Sequence, residues 1–356
     1  MVIASESNSK AGKLPGFFRL KRLSGVSAGI ILLVILAVVF ILSFAMGRYP
    51  ISPLNVIKIL LSHIVSIPHT WPDVMNTIVI QIRLPRIIAA ILIGGSLATA
   101  GVSFQGLFRN PLVSPDILGV SAGASLGAAM GILFSGNRVV IEAMAFGMAM
   151  VAVAVSYSLS RIVKGNATLS LILAGMAMGS LLGAFLSLTK YAADPTNQLP
   201  AITYWLMGSL AAINLHDLAF ASIPMLVGMG ILLLIRWRFN VLAMGEEEAQ
   251  SLGVDTGKLR IIIVLCCTVI TASAVSISGT IGWIGLIMPH IGRILVGPNH
   301  KKLIPVTLLL GAIFLLIIDD IARVMAQVEI PIGILTAIVG VPFFLYLLTR
   351  GRRGWA

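Results

Sequence analysis

IIIVLCCTVITASAVSISGTIGWIGLIMPHIG occupies residues 261–292 and contains no Asp, Glu, Lys or Arg. As one α-helix it would be about 48 Å long at 1.5 Å per residue. The hydrocarbon core of a bilayer is only ~30 Å thick. The stretch therefore reads as two membrane spans, broken at Ser276–Gly279, where small residues gather. Toward the C-terminus, Leu303–Ile318 and Ile330–Thr349 read as further spans. Toward the N-terminus follow Leu218–Ile235, Asn166–Thr189, Ala143–Ser160, Ile117–Asn137, Ile87–Phe108 and Leu23–Gly47. The expected fold class is an all-α polytopic membrane protein of ten transmembrane helices.

Composition supports a lipid-facing surface. Of the 356 residues, 58% are hydrophobic and 11% charged, and the mean hydropathy is +1.02. A soluble domain is about 25% charged, so this chain cannot cover a water-facing surface. The net charge of +12 would suggest nucleic acid in a soluble protein. Here it reads as the lysine and arginine excess of cytoplasmic loops, with no nucleic-acid partner. Placing both termini in the cytoplasm puts 18 of the 25 Lys and Arg inside and 7 outside, among them Arg48, Arg83, Arg86 and Arg323. The expected organisation is a basic segment over 1–27, a ten-span domain over 28–349 and a basic tail over 350–356. The location is the plasma (inner) membrane.

Glycines recur at every fourth place as Gly119, Gly123, Gly127 and Gly131, and again as Gly175, Gly179 and Gly183. That spacing keeps each set on one helix face, where close backbone approach substitutes for the hydrophobic force that lipid removes. Three segments carry more than packing. Residues 105–119 (QGLFRNPLVSPDILG) form a tight proline-bounded turn that could serve as a gate or as an ordinary anchor. Residues 236–260 are the one long polar stretch between cytoplasmic span ends. Within them Met244–Leu252 reads as a short amphipathic helix with a C-cap at Gly253, suited to docking a cytosolic partner. Residues 279–293 (GTIGWIGLIMPHIGR) combine glycines with Pro289 and His290. Pro195–Leu215 is uncharged but polar, and a short helix over Ala201–Leu210 is expected there. Asp319 and Asp320 are expected to pair with Arg323, one turn on.

No G-x-x-x-x-G-K-[ST] phosphate loop and no H-E-x-x-H occurs. Cys266 and Cys267 read as small core residues. No metal site, catalytic residue or bound cofactor is assigned to this chain.

These segments resemble the permease subunits of ABC importers for iron chelates, haem and cobalamin (the FecCD-type, or type II, importer permeases) from about Ile80 to Leu348. Arg83-Leu84-Pro85-Arg86 is similar to the family's R-x-P-R. Gln105, Arg109-Asn110-Pro111-Leu112, Pro115, Leu118-Gly119 and Ser121-x-Gly123-Ala124 are similar to its most specific stretch. Trp205-x-x-Gly208-Ser209, Gly245-Glu246, Ala249, Leu252-Gly253-Val254, Gly282 to Arg293, and Glu329-x-Pro331-x-Gly333 with Thr336, Gly340 and Pro342-Phe343 follow in order.

The resemblance implies a type II permease fold and a homodimer with its pore on the two-fold axis. Two cytosolic ATP-binding subunits would carry ATP-Mg, and an extracytoplasmic substrate-binding protein would deliver cargo. It also implies an inner gate at Asn110 and Leu112 with a second gate at Thr168 and Leu169. The coupling loop would use Gly245, Glu246, Ala249, Leu252 and Gly253, and the binding protein would dock on Arg83, Arg86 and Arg323. Ferric siderophore is the first expected cargo, ahead of cobalamin, haem and molybdate. An ion-coupled carrier or a membrane scaffold are the rival readings. The chain itself is not expected to be an enzyme.

Overall fold

The computed structural model describes residues 23–47, 49–63, 65, 68, 70–162 and 167–350. Most of the expected basic head, Arg48, Lys164 and the tail arginines Arg352 and Arg353 lie outside the described residues. Every regular element among the described residues is helical.

Helix α1 spans Gly25–Ala45, capped by the Ser24 hydroxyl, which accepts from the Ser27 amide at 3.0 Å. Short helix α2 (Pro53–Ser62) has Pro53 at its first position, where the missing N–H costs no helical bond. Helix α3 (Asp73–Thr77) continues through a π-turn over Ile78–Arg83 into α4 (Leu84–Phe108). Pro85 lies just after that turn. A proline ring clashes with the carbonyl four residues earlier, and the wider π-turn takes up the misfit. A 3-10 turn at Pro115–Leu118 leads into α5 (Val120–Phe134), followed by α6 (Arg138–Ile162), α7 (Ala167–Ala192) and α8 (Gln198–Met207). Then come α9 (Leu215–Leu234), α10 (Arg238–Leu242), α11 (Glu246–Ser251), α12 (Thr256–Ser278), α13 (Ile284–Val296), α14 (His300–Val324) and α15 (Ile332–Arg350).

Seven of the described helices are long and apolar enough to cross a membrane: α1, the continuous Asp73–Phe108 helix, α6, α7, α9, α12 and α14. Helices α5 and α13, and α15 over Ile332–Tyr346, are shorter apolar helices. Helix α4 is the axis of the bundle: 83% of its most apolar stretch is buried, against 22% for α1 and α7. Its small residues permit this. A Cβ on Gly94 would run into the Gly311 carbonyl of α14, and one on Gly101 into the Gly285 carbonyl of α13.

Several expectations shift. The second span does not begin at Ile87; the helix starts at Asp73 and carries Arg83 and Arg86 inside it. The ninth extends past Ile318 to Val324. The break in residues 261–292 comes later than expected, between the α12 C-cap Gly279 and Ile284. There the Ser209 amide donates to the Ser278 carbonyl at 2.8 Å, and the Ile332 amide donates to the Gly208 carbonyl at 2.9 Å. Neighbouring backbone thus meets the last carbonyl of α12 and the adjoining Gly208 carbonyl, in keeping with a membrane interior. Short helix α8 starts three residues before the expected Ala201. The first glycine stripe packs as expected: Gly123 and Gly127 lie against backbone of α6. In the second, Gly175 lies against the 3-10 turn, but a Cβ on Gly183 would meet nothing within 4 Å.

Candidate functional site

Two polar regions stand at opposite ends of the bundle. The first, at the loop end, is built on the link between α9 and α12. Gly245 precedes α11 with φ of 133°, a conformation open to glycine. Glu246, Glu247 and Glu248 fill the first turn, where the helix dipole favours acids. Ala249 is fully buried, while Leu252 is exposed. Gly253 (φ 79°) reverses the chain, and the Val254 amide donates back to the Ala249 carbonyl at 3.0 Å. The expected helix over Met244–Leu252 is therefore present but shorter, with the expected glycine at its end.

Two bonds fix α11 to α12. The Arg260 guanidinium pairs with the Glu246 carboxylate, and Gln250 Nε2 donates to Thr256 Oγ1 at 3.1 Å. Asp255 caps α12 by accepting from the Lys258 amide at 3.0 Å. That amide and the Lys258 side chain hold the Asp255 carboxyl below its ordinary range.

The turn after α4 lies beside this unit. Helix α4 ends at Arg109 in the left-handed conformation, φ 49°. Asn110 then closes a turn, its Oδ1 accepting from the Leu112 amide at 2.9 Å. Gln105 reaches back under the turn. Its Nε2 donates to the Val113 carbonyl at 3.3 Å and to the Gly285 carbonyl at 3.4 Å, while its Oε1 accepts from Arg293. A cavity of about 400 Å³ opens beside it, lined by Arg109, Thr168, Leu242, Glu246, Thr256 and Arg260 among others. The structure thus brings Arg109 and Thr168 into one cavity with Glu246. Asn110, Leu112 and Leu169 are exposed and lie outside it. Gly245, Ala249, Leu252 and Gly253 form the α11 body beside it.

The far end holds a buried ion network. Arg86 Nε donates to Asp319 Oδ1 at 2.9 Å and Oδ2 at 3.0 Å, and Nη1 donates to Glu329 Oε1 at 3.0 Å. Arg323 pairs with Asp319 through Nε at 3.3 Å and with Asp320. The Ser43 hydroxyl donates to Asp320. Arg83 donates to the carbonyls of Phe44 and Tyr49. The expected pairing of Asp319 and Asp320 with Arg323 is present. Arg83, Arg86 and Arg323, the residues expected to receive a binding protein, are only 5%, 6% and 7% exposed. A guanidinium at this depth needs an internal partner; acids of the same chain provide it for Arg86 and Arg323, and backbone carbonyls for Arg83.

Sequence reasoning missed Arg260 and Gln105 as fastening residues, and Glu329 as a partner of Arg86. Residues 14 or 243 apart share no helical periodicity; only the Glu329 motif position was a signal. His290 is half-buried on α13, and both cysteines are buried and free of disulfides. Among the described residues no group of three or more His, Cys, Asp or Glu could hold a metal ion.

Residues 35–350 match the model of the FecCD transport family. The molybdate import system permease protein MolB of Haemophilus influenzae is 39% identical over 91% of this chain and 95% of its own. A probable iron chelatin transport system permease protein of Helicobacter pylori is 42% identical over 78% of this chain and 84% of its own. Among solved structures, an inward-facing metal-chelate type ABC transporter superposes with a TM-score of 0.82. It is 37% identical and covers 91% of this chain and 99% of its own.

Proposed function

The chain belongs to the FecCD transport family, and from that premise we propose how it works. It is the membrane-spanning permease subunit of an ATP-binding-cassette importer, with no catalysis of its own. Seven long spans plus α5, α13 and α15 cross the plasma membrane ten times, and both termini lie in the cytoplasm. Two copies enclose the pore. Two ATP-binding subunits, carrying ATP-Mg, dock against α11 from the cytoplasm, and a binding protein delivers cargo at the far end.

One observation carries this reading: α11 is fastened to α12 through Arg260 and Glu246, and the same two residues line a cavity with Arg109 of the gate turn and Thr168. A push on α11 therefore reaches the base of α12 directly, with the gate turn across the same cavity. In the dimer, Asn110 and Leu112 with Thr168 and Leu169 form the inner gate, and tilting of the two copies opens and closes it. At the far end an acidic group of the binding protein would meet Arg83, Arg86 and Arg323 by competing with Asp320 and Glu329, so docking there is tied to loosening the network.

Ferric siderophore is the first cargo proposed, in keeping with the iron chelatin relative. Molybdate is the second reading, favoured because the relative of that name matches nearly its whole length. Cobalamin and haem, named for other relatives, complete the panel. The test is reconstitution in liposomes with the cognate ATPase and binding protein, adding each compound alone. ATP-dependent uptake of one compound, requiring the binding protein, would identify it. Failure of any ATPase to assemble with the chain would sink the importer reading. Uptake that survives without ATP but collapses with an ionophore would favour a carrier.

A further inference from the structure

The lipid-facing surface carries a formed groove apart from both polar regions. It lies between α6 and α12, has a volume of about 150 Å³ and runs from Met150 to Tyr157 on one helix and from Ile261 to Thr268 on the other. Each set follows the i, i+3, i+4, i+7 pattern, so each is one continuous helix face. Val153, Val264 and Thr268 are buried and make the floor, whereas Ile261 and Leu265 are about half exposed and make the rim. The Thr268 hydroxyl donates to the Val264 carbonyl of its own helix at 2.7 Å. The floor therefore presents only apolar surface. An apolar floor of this kind favours hydrocarbon over water. Seven residues of helix make the groove about 10 Å long, the shape of a chain rather than a ring.

Its end toward the loops is cationic on both sides. Arg161 lies four residues beyond Tyr157, on the same face of α6. It is exposed and makes no ion pair among the described residues. Lys258 lies three residues before Ile261 on the groove face of α12, and its ammonium is 82% exposed. Among the described residues it pairs with Asp255 at 3.1 Å at the surface, a weak kind of pair that a phosphate can rival. A second copy of this chain is a poor occupant, because with 25 basic and 13 acidic residues it has little to offer two cations.

We propose that the α6–α12 groove is a binding site for an anionic phospholipid, with part of one acyl chain in the groove and the phosphate held between Arg161 and Lys258. An anionic headgroup satisfies both cations, whereas a choline headgroup would add a third.

The test is native mass spectrometry of the full-length chain released from nanodiscs containing phosphatidylglycerol and phosphatidylcholine in equal amounts. The expected result is preferential retention of phosphatidylglycerol. Arg161→Gln and Lys258→Gln should each lower retention about five-fold, since a basic residue near an anionic headgroup contributes on that scale. Ala154→Phe, which fills the groove, should abolish the preference, and Val151→Phe, on α6 but outside the groove, should leave it intact. Equal retention of the two lipids, or a preference that survives Ala154→Phe, overturns the proposal. So does loss of a dimer rather than of lipid on Ala154→Phe, which would give the groove to a second copy. No ATPase or binding protein enters the measurement, so its failure would leave the importer reading standing.

Discussion

Replacing Asp319 with alanine should destabilise this protein more than any other single change in the far-end network. Asp319 is fully buried and is shared by Arg86, at 2.9 and 3.0 Å, and Arg323, at 3.3 Å. Removing one partner of a buried pair strands the other charge, at a cost of about 3–5 kcal/mol. Here the lower end applies, ~3 kcal/mol, because Glu329 still reaches Arg86 and Asp320 still reaches Arg323. Glu329→Gln should cost much less, about 1 kcal/mol, since that side chain is 32% exposed. The assay is unfolding of purified protein in mixed micelles, followed by tryptophan fluorescence, with the cycle Arg86→Leu, Asp319→Leu and the double variant. The double variant should recover part of the loss, because neither member of the pair is left without the other and Arg323 keeps Asp320, while Glu329 loses Arg86. A coupling below ~0.5 kcal/mol, or Asp319→Ala melting together with Glu329→Gln, would refute the claim that internal pairing holds this end together.

Three further outcomes follow from named contacts. Gly101→Val should collapse the yield of monodisperse protein in detergent, because its side chain meets the Gly285 backbone, while Gly183→Val should extract normally because its Cβ points into open space; equal yields would remove close packing of α4 as the cause. Gln105→Leu leaves Arg293 without its acceptor and frees Val113, so reconstituted complex should hydrolyse ATP yet import poorly; intact uptake per ATP would contradict the tie between gate and α13. Asp255 has a lowered folded pKa, from the Lys258 amide first and its side chain next. Its cap is therefore complete above the ordinary carboxylate range, near ~3.9, and is lost as pH falls through the lowered folded value. Hydrogen exchange at the Lys258 amide should show protection at pH 7 that disappears under strong acid, and protection that already fades between pH 7 and 5 would contradict the assignment.

Much of the candidate site was legible because it is local. Glycines at Gly245 and Gly253, three acids in one turn and Ala249 between them define α11 within ten residues, and only its length was misjudged. The turn after α4 was equally local, resting on Arg109, Asn110 and two prolines. Its fastening was not legible, since Gln105 reaches Gly285 across 180 residues. The stretch over 261–292 showed that it must break; the Ser209 amide, which donates to the Ser278 carbonyl at the break, comes from elsewhere in the chain.

Hydropathy and local caps, which act within a few turns, were enough to establish that this chain lives in lipid and is a bundle of apolar helices with one polar loop. Span ends were set by tertiary structure. A rule that stops a span at the first charge ended the second at Ile87 and the ninth at Ile318, yet both helices run on through Arg83, Arg86, Asp319, Asp320 and Arg323. Those charges stop a helix in lipid only when they are alone. Folding sets three arginines among three acids and backbone carbonyls, the charge cancels within the protein, and the helices continue.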